Sequence, residues 1–169
     1  MNIAPIIEMT PKFESLNVLE IGLGDIRLIP PYAKHLKSID GRINSFVYLQ
    51  ENYDNLQSTI ASLNLDNCSL KMISSFDKAF RLKTREYEMA VITNILHCDI
   101  DRETLLKKVY HSLENSGELI IIADNEKEDY QTLYTQLDDL GFVAMNQTEC
   151  DENYYFVTAK KMHHWGRGL

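Results

Sequence analysis

Cysteine is scarce in this sequence. Only 3 cysteines occur among 169 residues, and no two of them form a Cys-x-x-Cys pair. Cys68, Cys98 and Cys150 lie far apart, whereas secreted disulfide scaffolds carry an even number of cysteines and structural zinc sites carry closely spaced pairs. The pattern argues against both classes of protein and favours a reducing, cytoplasmic location.

Long apolar runs are also missing. A membrane span needs roughly 18 consecutive apolar residues, and the first thirteen residues contain Glu8 and two prolines but no basic start typical of a signal peptide. Glycine and proline number only 7 and 4, while 44% of residues are hydrophobic, which excludes collagen and disorder. We therefore expect no membrane span, and one domain over residues 1–161 followed by a tail at 162–169.

Positive charge is in deficit. Lysine and arginine number 17 against 25 aspartates and glutamates, which gives a net charge of −8. The electrostatic field of a protein with this negative charge repels phosphate backbones from most of its surface. Nucleic acid is therefore a poor candidate partner, and a small molecule or another protein is a better one.

Short apolar runs alternate with segments of helical periodicity. This alternation predicts an α/β fold whose parallel strands are joined by crossover helices, closed by an antiparallel hairpin. In such sheets ligands bind outside the carboxyl ends of the strands, where the strand order reverses. The predicted strands are Asn17–Ile21, Ile43–Leu49, Ser69–Ile73, Tyr87–Thr93, Glu118–Ala123, Phe142–Cys150 and Tyr154–Lys161; the predicted helices are Pro31–Ser38, Tyr53–Leu63, Asp101–Leu113 and Asp129–Leu140, with a shorter one near Phe76–Phe80.

A glycine-containing loop follows the first predicted strand. It reads Glu20-Ile-Gly22-Leu-Gly24-Asp25-Ile26-Arg27, and its glycines allow a sharp turn and close approach of a ligand to the backbone. A dinucleotide fingerprint needs a third glycine at the position of Arg27. The loop therefore disfavours a nicotinamide or flavin cofactor, and a tight turn that binds no ligand stays open as an alternative.

The loop and its surroundings resemble a known family. An acidic residue, one apolar residue and Gly-x-Gly before a βαβ unit, together with a closing hairpin, resemble the S-adenosylmethionine-dependent methyltransferases of the Rossmann-like class. The segments Asn94-Ile-Leu-His97 and Ser116-Gly117-Glu118-Leu119 are similar to that family's fourth and fifth strand regions. The resemblance implies a three-layer fold, a mostly parallel seven-stranded sheet and S-adenosylmethionine as cofactor.

The resemblance also implies a set of cofactor-binding residues. The glycine loop would hold the methionine portion of the cofactor, the end of the second strand would hold the ribose, and Phe76 would stack on the adenine. The implied residues are Glu20, Gly22, Gly24, Asp25, Gln50, Glu51, Ser75, Phe76, Thr93 and Asn94.

One residue is a candidate for acid–base chemistry. His97 follows the fourth strand, and a histidine can take a proton from an acceptor near neutral pH. A histidine that only packs locally in a loop is the alternative. The sequence Asn-Ile-Leu-His resembles the corresponding segment of family members that act on small molecules or lipid-like quinones. This resemblance implies a small or amphipathic acceptor.

The sequence departs from the family pattern at three places. Ile26 replaces the third glycine, Gln50 stands where a carboxylate is usual, and no acid directly follows the third strand. A second hypothesis is therefore a domain without turnover that binds a nucleoside, a metabolite or a protein partner. The side chains of adjacent His163 and His164 point in different directions on an extended chain, which argues against a metal site formed by them alone, so no metal is expected. The neighbouring Trp165 is expected to fold back onto the domain or onto a partner subunit, as in a homodimer.

Overall fold

The computed structural model describes residues 2–76, 80–149 and 151–162. Seven strands form one sheet in the order β3-β2-β1-β4-β5-β7-β6. Strands β1 to β5 pair in parallel, and β7 pairs antiparallel with both β5 and β6. The predicted α/β class with its antiparallel C-terminal hairpin is confirmed. The strands are β1 Asn17–Gly22, β2 Arg42–Val47, β3 Cys68–Met72, β4 Tyr87–Thr93, β5 Leu113–Asp124, β6 Phe142–Glu149 and β7 Tyr154–Lys161.

In the described residues, five helices cover the two faces of the sheet. One buried cluster joins the sheet to α1, α2 and α3, and a second joins it to α4 and α5. Central strands face a core on both sides, which is why β1 and β4 are almost continuously buried. The helices are α1 Ala4–Met9, α2 Ile29–Lys37, α3 Gln50–Ser62, α4 Arg102–Ser112 and α5 Tyr130–Leu140.

Helices α4 and α5 begin and end where their sequences indicate. Asp101 accepts a hydrogen bond from the Thr104 amide at 2.9 Å, and Asp129 accepts one from the Thr132 amide at 2.8 Å. Each aspartate is therefore an N-cap, which satisfies an amide without a partner inside the helix. Gly141 ends α5 with φ of 91°, the left-handed conformation that glycine adopts most readily.

The end of β2 differs from the prediction. The strand ends at Val47 and α3 begins at Gln50, although the apolar sequence continues to Leu49. Leu49 is 51% exposed and is the N-cap of α3, and the side-chain Nε2 of Gln50 donates to the Asp54 carboxylate at 2.7 Å across one helical turn. This (i, i+4) pairing favours a helix start at Gln50, so the strand is shorter than expected.

Three further boundaries differ. Helix α1 has no counterpart in the prediction. Strand β5 begins at Leu113 rather than Glu118, because the predicted turn at residues 115–117 is an irregular strand segment in which Ser116 has φ of 64°. In the short helix expected near Phe76–Phe80, residues 77–79 lie outside the described part, and Phe80–Glu86 form no helix.

The helices within the described ranges are all short or polar. None of them has the length and apolar character needed to cross a bilayer.

Candidate functional site

The carboxyl ends of β1 and β4 lie side by side at the point where the strand order reverses. Gly22 is paired with Thr93 in the register of these strands. A Cβ atom on Gly22 would lie 2.6 Å from Glu20 Oε1 and 2.7 Å from the Thr93 carbonyl oxygen. Only glycine permits this approach, so Glu20, Gly22 and Thr93, all predicted site residues, lie in contact distance of one another.

Gly24 allows the loop to turn back over β2. Its φ is +77°, and a Cβ there would lie 2.8 Å from Val47 Cγ1 and 3.3 Å from Asn52 Cβ. A side chain would be strained by the backbone and would also clash with β2. The second glycine is thus required by the close approach of the loop to β2 and α3.

The loop is then fixed by Asp25. Its carboxylate accepts hydrogen bonds from the Arg27 amide at 2.8 Å and from the Arg27 guanidinium at 2.7 and 3.0 Å. Burial acts to raise the pKa of Asp25, but the hydrogen bonds and charge of Arg27 outweigh it and hold that pKa below its usual value. Ile26 is 45% exposed and the Arg27 side chain 57% exposed, so both point away from the interior of the turn.

The first turn of α2 offers few amides to an anion. The Leu28 and Ile29 amides donate to the Asp25 carbonyl oxygen, and Pro30 and Pro31 have no amide hydrogen. A helix N-terminus that binds phosphate needs free amides pointing outward.

Glu20 is a buried acid without a positive partner among the interactions described. It is 1% exposed; Oε2 accepts a hydrogen bond from the Ser45 hydroxyl, and Oε1 has no hydrogen bond of good geometry, although the Thr93 side chain lies nearby. Burial raises the pKa of Glu20 to about 7, while the hydroxyl groups of Ser45 and Thr93 act in the opposite direction. An ionised Glu20 is therefore costly here unless a donor reaches Oε1.

Three more buried polar atoms without a hydrogen-bond partner lie on the last residue of β4 and on the segment just after it. They are Thr93 Oγ1, Asn94 Oδ1 and His97 Nδ1. Together with Glu20 Oε1 of β1 they make four of the six such side-chain atoms in the part of the chain that the structure describes. Buried polar atoms normally have partners, so their occurrence near the carboxyl ends of β1 and β4 makes this edge of the sheet the candidate place for a polar ligand.

The backbone after β4 is also strained. Asn94 has φ of 52°, and its amide donates to the Ile122 carbonyl oxygen of β5 at 3.0 Å. Asparagine tolerates the left-handed region better than most residues, and such strain is frequent at functional sites.

His97 lies towards the end of β5. A hydrogen bond from the Glu126 amide is the main reason that the pKa of Asp124 lies below its usual value, and the nearby His97 adds a smaller electrostatic contribution. His97 is half-buried. It therefore stands between the acids that follow β5 and the cluster at the end of β4.

The end of β2 carries an aromatic residue that the sequence reasoning missed. The Tyr48 amide donates to the Gly22 carbonyl oxygen at 2.9 Å, and its ring lies 5.6 Å from the Phe76 ring at an angle of 33°. Phe76 in turn contacts Phe80 edge-on at 5.3 Å. Lys108 of α4 donates to the Phe76 carbonyl oxygen at 3.4 Å and also to that of Phe80.

Two predicted residues lie away from this arrangement. Gln50 and Glu51 are exposed on the first turn of α3, so the prediction that Gln50 ends the second strand is wrong. The signal that could have corrected it is the Gln50–Asp54 spacing of a helix start. Ser75 is exposed next to buried Phe76, and the tail from His163 onward lies outside the described residues.

No protein-family model matches this sequence, and no curated protein matches it. Solved structures do. A methyltransferase dependent on S-adenosylmethionine from Aquifex aeolicus is similar over 94% of this chain and 88% of its own, with a TM-score of 0.79 and 15% identity. A second structure, from Listeria monocytogenes and described as a putative methyltransferase of that kind, has a TM-score of 0.76 and 13% identity. The similarity covers 95% of this chain and 98% of the other.

A third similar structure was crystallised with a cofactor. Phosphoethanolamine N-methyltransferase 2 of Haemonchus contortus, in complex with S-adenosyl-L-methionine, gives a TM-score of 0.78 at 8% identity. The chain covers only 52% of that enzyme. At these identities the likeness establishes architecture, and the strand order agrees with it. This chain has the Rossmann-like fold of the S-adenosylmethionine-dependent methyltransferases.

Proposed function

We propose that the chain binds S-adenosylmethionine at the carboxyl ends of β1, β2 and β4 and transfers its methyl group to a small or amphipathic acceptor. The observation that carries this proposal is that four of the six unpartnered buried side-chain atoms in the described residues belong to Glu20, Thr93, Asn94 and His97, on or just after the adjacent strands β1 and β4. Carboxylate, hydroxyl and amide oxygens can accept the hydrogen bonds of a primary ammonium group, which the methionine portion of the cofactor possesses.

The chemistry would need little from the protein beyond positioning. When bound, the cofactor supplies a methyl group on a positively charged sulfur. Glu20, Thr93 and Asn94 would orient the ammonium end, and Phe76 would pack against the base. An acceptor that loses a proton as its new bond to carbon forms requires a base, and His97 Nδ1 is the unpaired atom available to accept it.

Calorimetric titration with S-adenosylmethionine and S-adenosylhomocysteine tests the binding step. We expect saturable binding that weakens about tenfold in Glu20→Gln, because the charge facing the ammonium is lost. Glu128→Gln is the matched control, since Glu128 is also buried but is paired with Arg102 at 3.0 Å. Absence of binding at millimolar concentrations of either compound would remove the proposal.

The role of His97 is tested separately. His97→Ala should leave cofactor binding within about twofold and reduce formation of S-adenosylhomocysteine, measured with a panel of phenols and primary amines, by the 10²–10⁴-fold typical of a lost general base. His35→Ala on α2 is the control, because His35 is half-buried against Tyr32 and remote in sequence from the strand ends. Equal turnover in both variants would exclude His97 from the reaction.

Binding without methyl transfer is the second candidate. The observation that favours it is the aromatic contact between Tyr48 and Phe76 at the end of β2. A structure described as the (4+2)-cyclase SpnF has a TM-score of 0.73 to this chain at 10% identity, so the fold also serves other activities. Tight binding of the cofactor with no methyl transfer to any acceptor tested supports this candidate.

A further inference from the structure

Tyr48 occupies a position that usually decides how a nucleoside is recognised. Its amide is bonded to the Gly22 carbonyl oxygen, so it stands directly beside the glycine loop. In doubly wound sheets that bind nucleotides, an acid at the end of the second strand accepts hydrogen bonds from ribose hydroxyls. A carboxylate has two charged oxygens for this task, whereas a tyrosine offers one neutral hydroxyl at the far end of a ring.

The ring of Tyr48 is already engaged by other aromatic groups. It lies 5.6 Å from Phe76, which is 3% exposed and contacts Phe80. The wall next to the glycine loop is therefore apolar and packed. Tyr48 is half-buried, so of these rings it is the one that a flat base could reach, and stacking contacts carry no information about ribose hydroxyls.

The acids nearest in sequence do not replace the missing carboxylate. Glu51 is exposed on the first turn of α3. Asp54 is exposed and accepts a hydrogen bond from the Gln50 side chain at 2.7 Å. Both acids lie within α3, beyond the position directly after β2 that Tyr48 occupies.

We propose that Tyr48 makes this site indifferent to the vicinal diol of an adenosyl ligand, which is held by its base and its ammonium end instead. This inference rests on the proposed cofactor binding. It implies that nucleoside derivatives with altered or absent ribose hydroxyls are accepted as well as the parent compound.

Calorimetry with two probes tests the inference. The probes are S-adenosylhomocysteine and its analogue lacking both ribose hydroxyls. We expect dissociation constants within about threefold of each other for the unaltered protein. A loss of tenfold or more for the analogue, about 1.4 kcal/mol, would overturn the inference alone, whereas failure of both probes to bind would overturn the proposed function and the inference with it.

Substitutions assign the effect to Tyr48. Tyr48→Asp restores a carboxylate at the end of β2, so we expect the diol-containing probe to bind at least tenfold more tightly than the analogue. Tyr48→Glu is the second acidic variant if Tyr48→Asp fails to fold by circular dichroism, and Tyr48→Phe, which keeps the ring, should keep the ratio near one. Tyr53→Phe on α3 is the control; a ratio that stays near one in a folded acidic variant contradicts the assignment.

Discussion

Replacing Glu20 with glutamine should stabilise the protein at neutral pH and leave it nearly unchanged in acid. The folded protein raises the pKa of Glu20 from its ordinary 4.5 to about 7, so the folded state binds the proton more tightly than the unfolded state does. Stability therefore falls as the pH rises from about 4.5 to about 7 and is level above that range. Glutamine does not titrate and avoids this loss.

The magnitude follows from the two pKa values. A change of one pKa unit corresponds to about 1.4 kcal/mol, so moving the pKa from 4.5 to about 7 amounts to about 3 kcal/mol. Glu20 is fully buried, so solvent screening does not reduce this figure much. In a chain of this length 1 kcal/mol corresponds to a change of about 2–4 °C in melting temperature, which gives about 6–12 °C at pH 8.

Urea unfolding followed by far-ultraviolet circular dichroism measures the effect at pH 4.5, 6 and 8. The difference in unfolding free energy between Glu20→Gln and the unaltered protein should grow by about 3 kcal/mol over this range. Ser45→Ala removes the hydroxyl that donates to Glu20, so it should destabilise the protein at pH 8 more than at pH 4.5. A difference between Glu20→Gln and the parent that stays constant with pH would refute the reasoning.

Three other outcomes follow from the structure. Gly24→Ala should lower the unfolding free energy by about 2–4 kcal/mol in urea titrations, because φ of +77° and a 2.8 Å approach to Val47 both oppose a side chain. Arg102→Ala should cost about 3 kcal/mol by thermal unfolding, since it leaves buried Glu128 unpaired, and adding Glu128→Gln should recover part of that loss. With a pKa of about 7, Glu20 carries a proton in about half of the molecules at pH 7, so binding of a cationic ligand beside it should release about half a proton. Calorimetry in buffers of different ionisation enthalpy measures this release. Zero release would contradict contact between the ligand and Glu20.

The sequence was informative wherever a local signal and the overall fold agreed. Strands β4 and β7 have the predicted limits, and α4 and α5 begin at their aspartate caps. The strand order reversal placed Glu20, Gly22 and Thr93 together, as the glycine loop and the parallel sheet indicated. These features depend on the period of the hydrophobic residues and on the capping residues of the helices. Both signals come from residues that are close together in the sequence, so the sequence alone reveals them.

The residue at which β2 ends could not be predicted from the sequence in the same way. Leu49 is apolar and extended but exposed, and its role as an N-cap depends on where α3 packs. Moving the strand end by two residues exchanged Gln50 for Tyr48 at the site. The contact of Tyr48 with Phe76 joins the ends of two strands that are separated by a helix, which no local pattern reveals.

The bonds from Lys108 to the carbonyl oxygens of Phe76 and Phe80 tie α4 to the segment between β3 and β4. The start of α4 is reached through the turn that carries Asn94 and His97. A displacement of the two phenylalanines would therefore be transmitted to the helix that follows His97. In the proposed site, Lys108 would link the residue that packs against the base to the residue that accepts a proton.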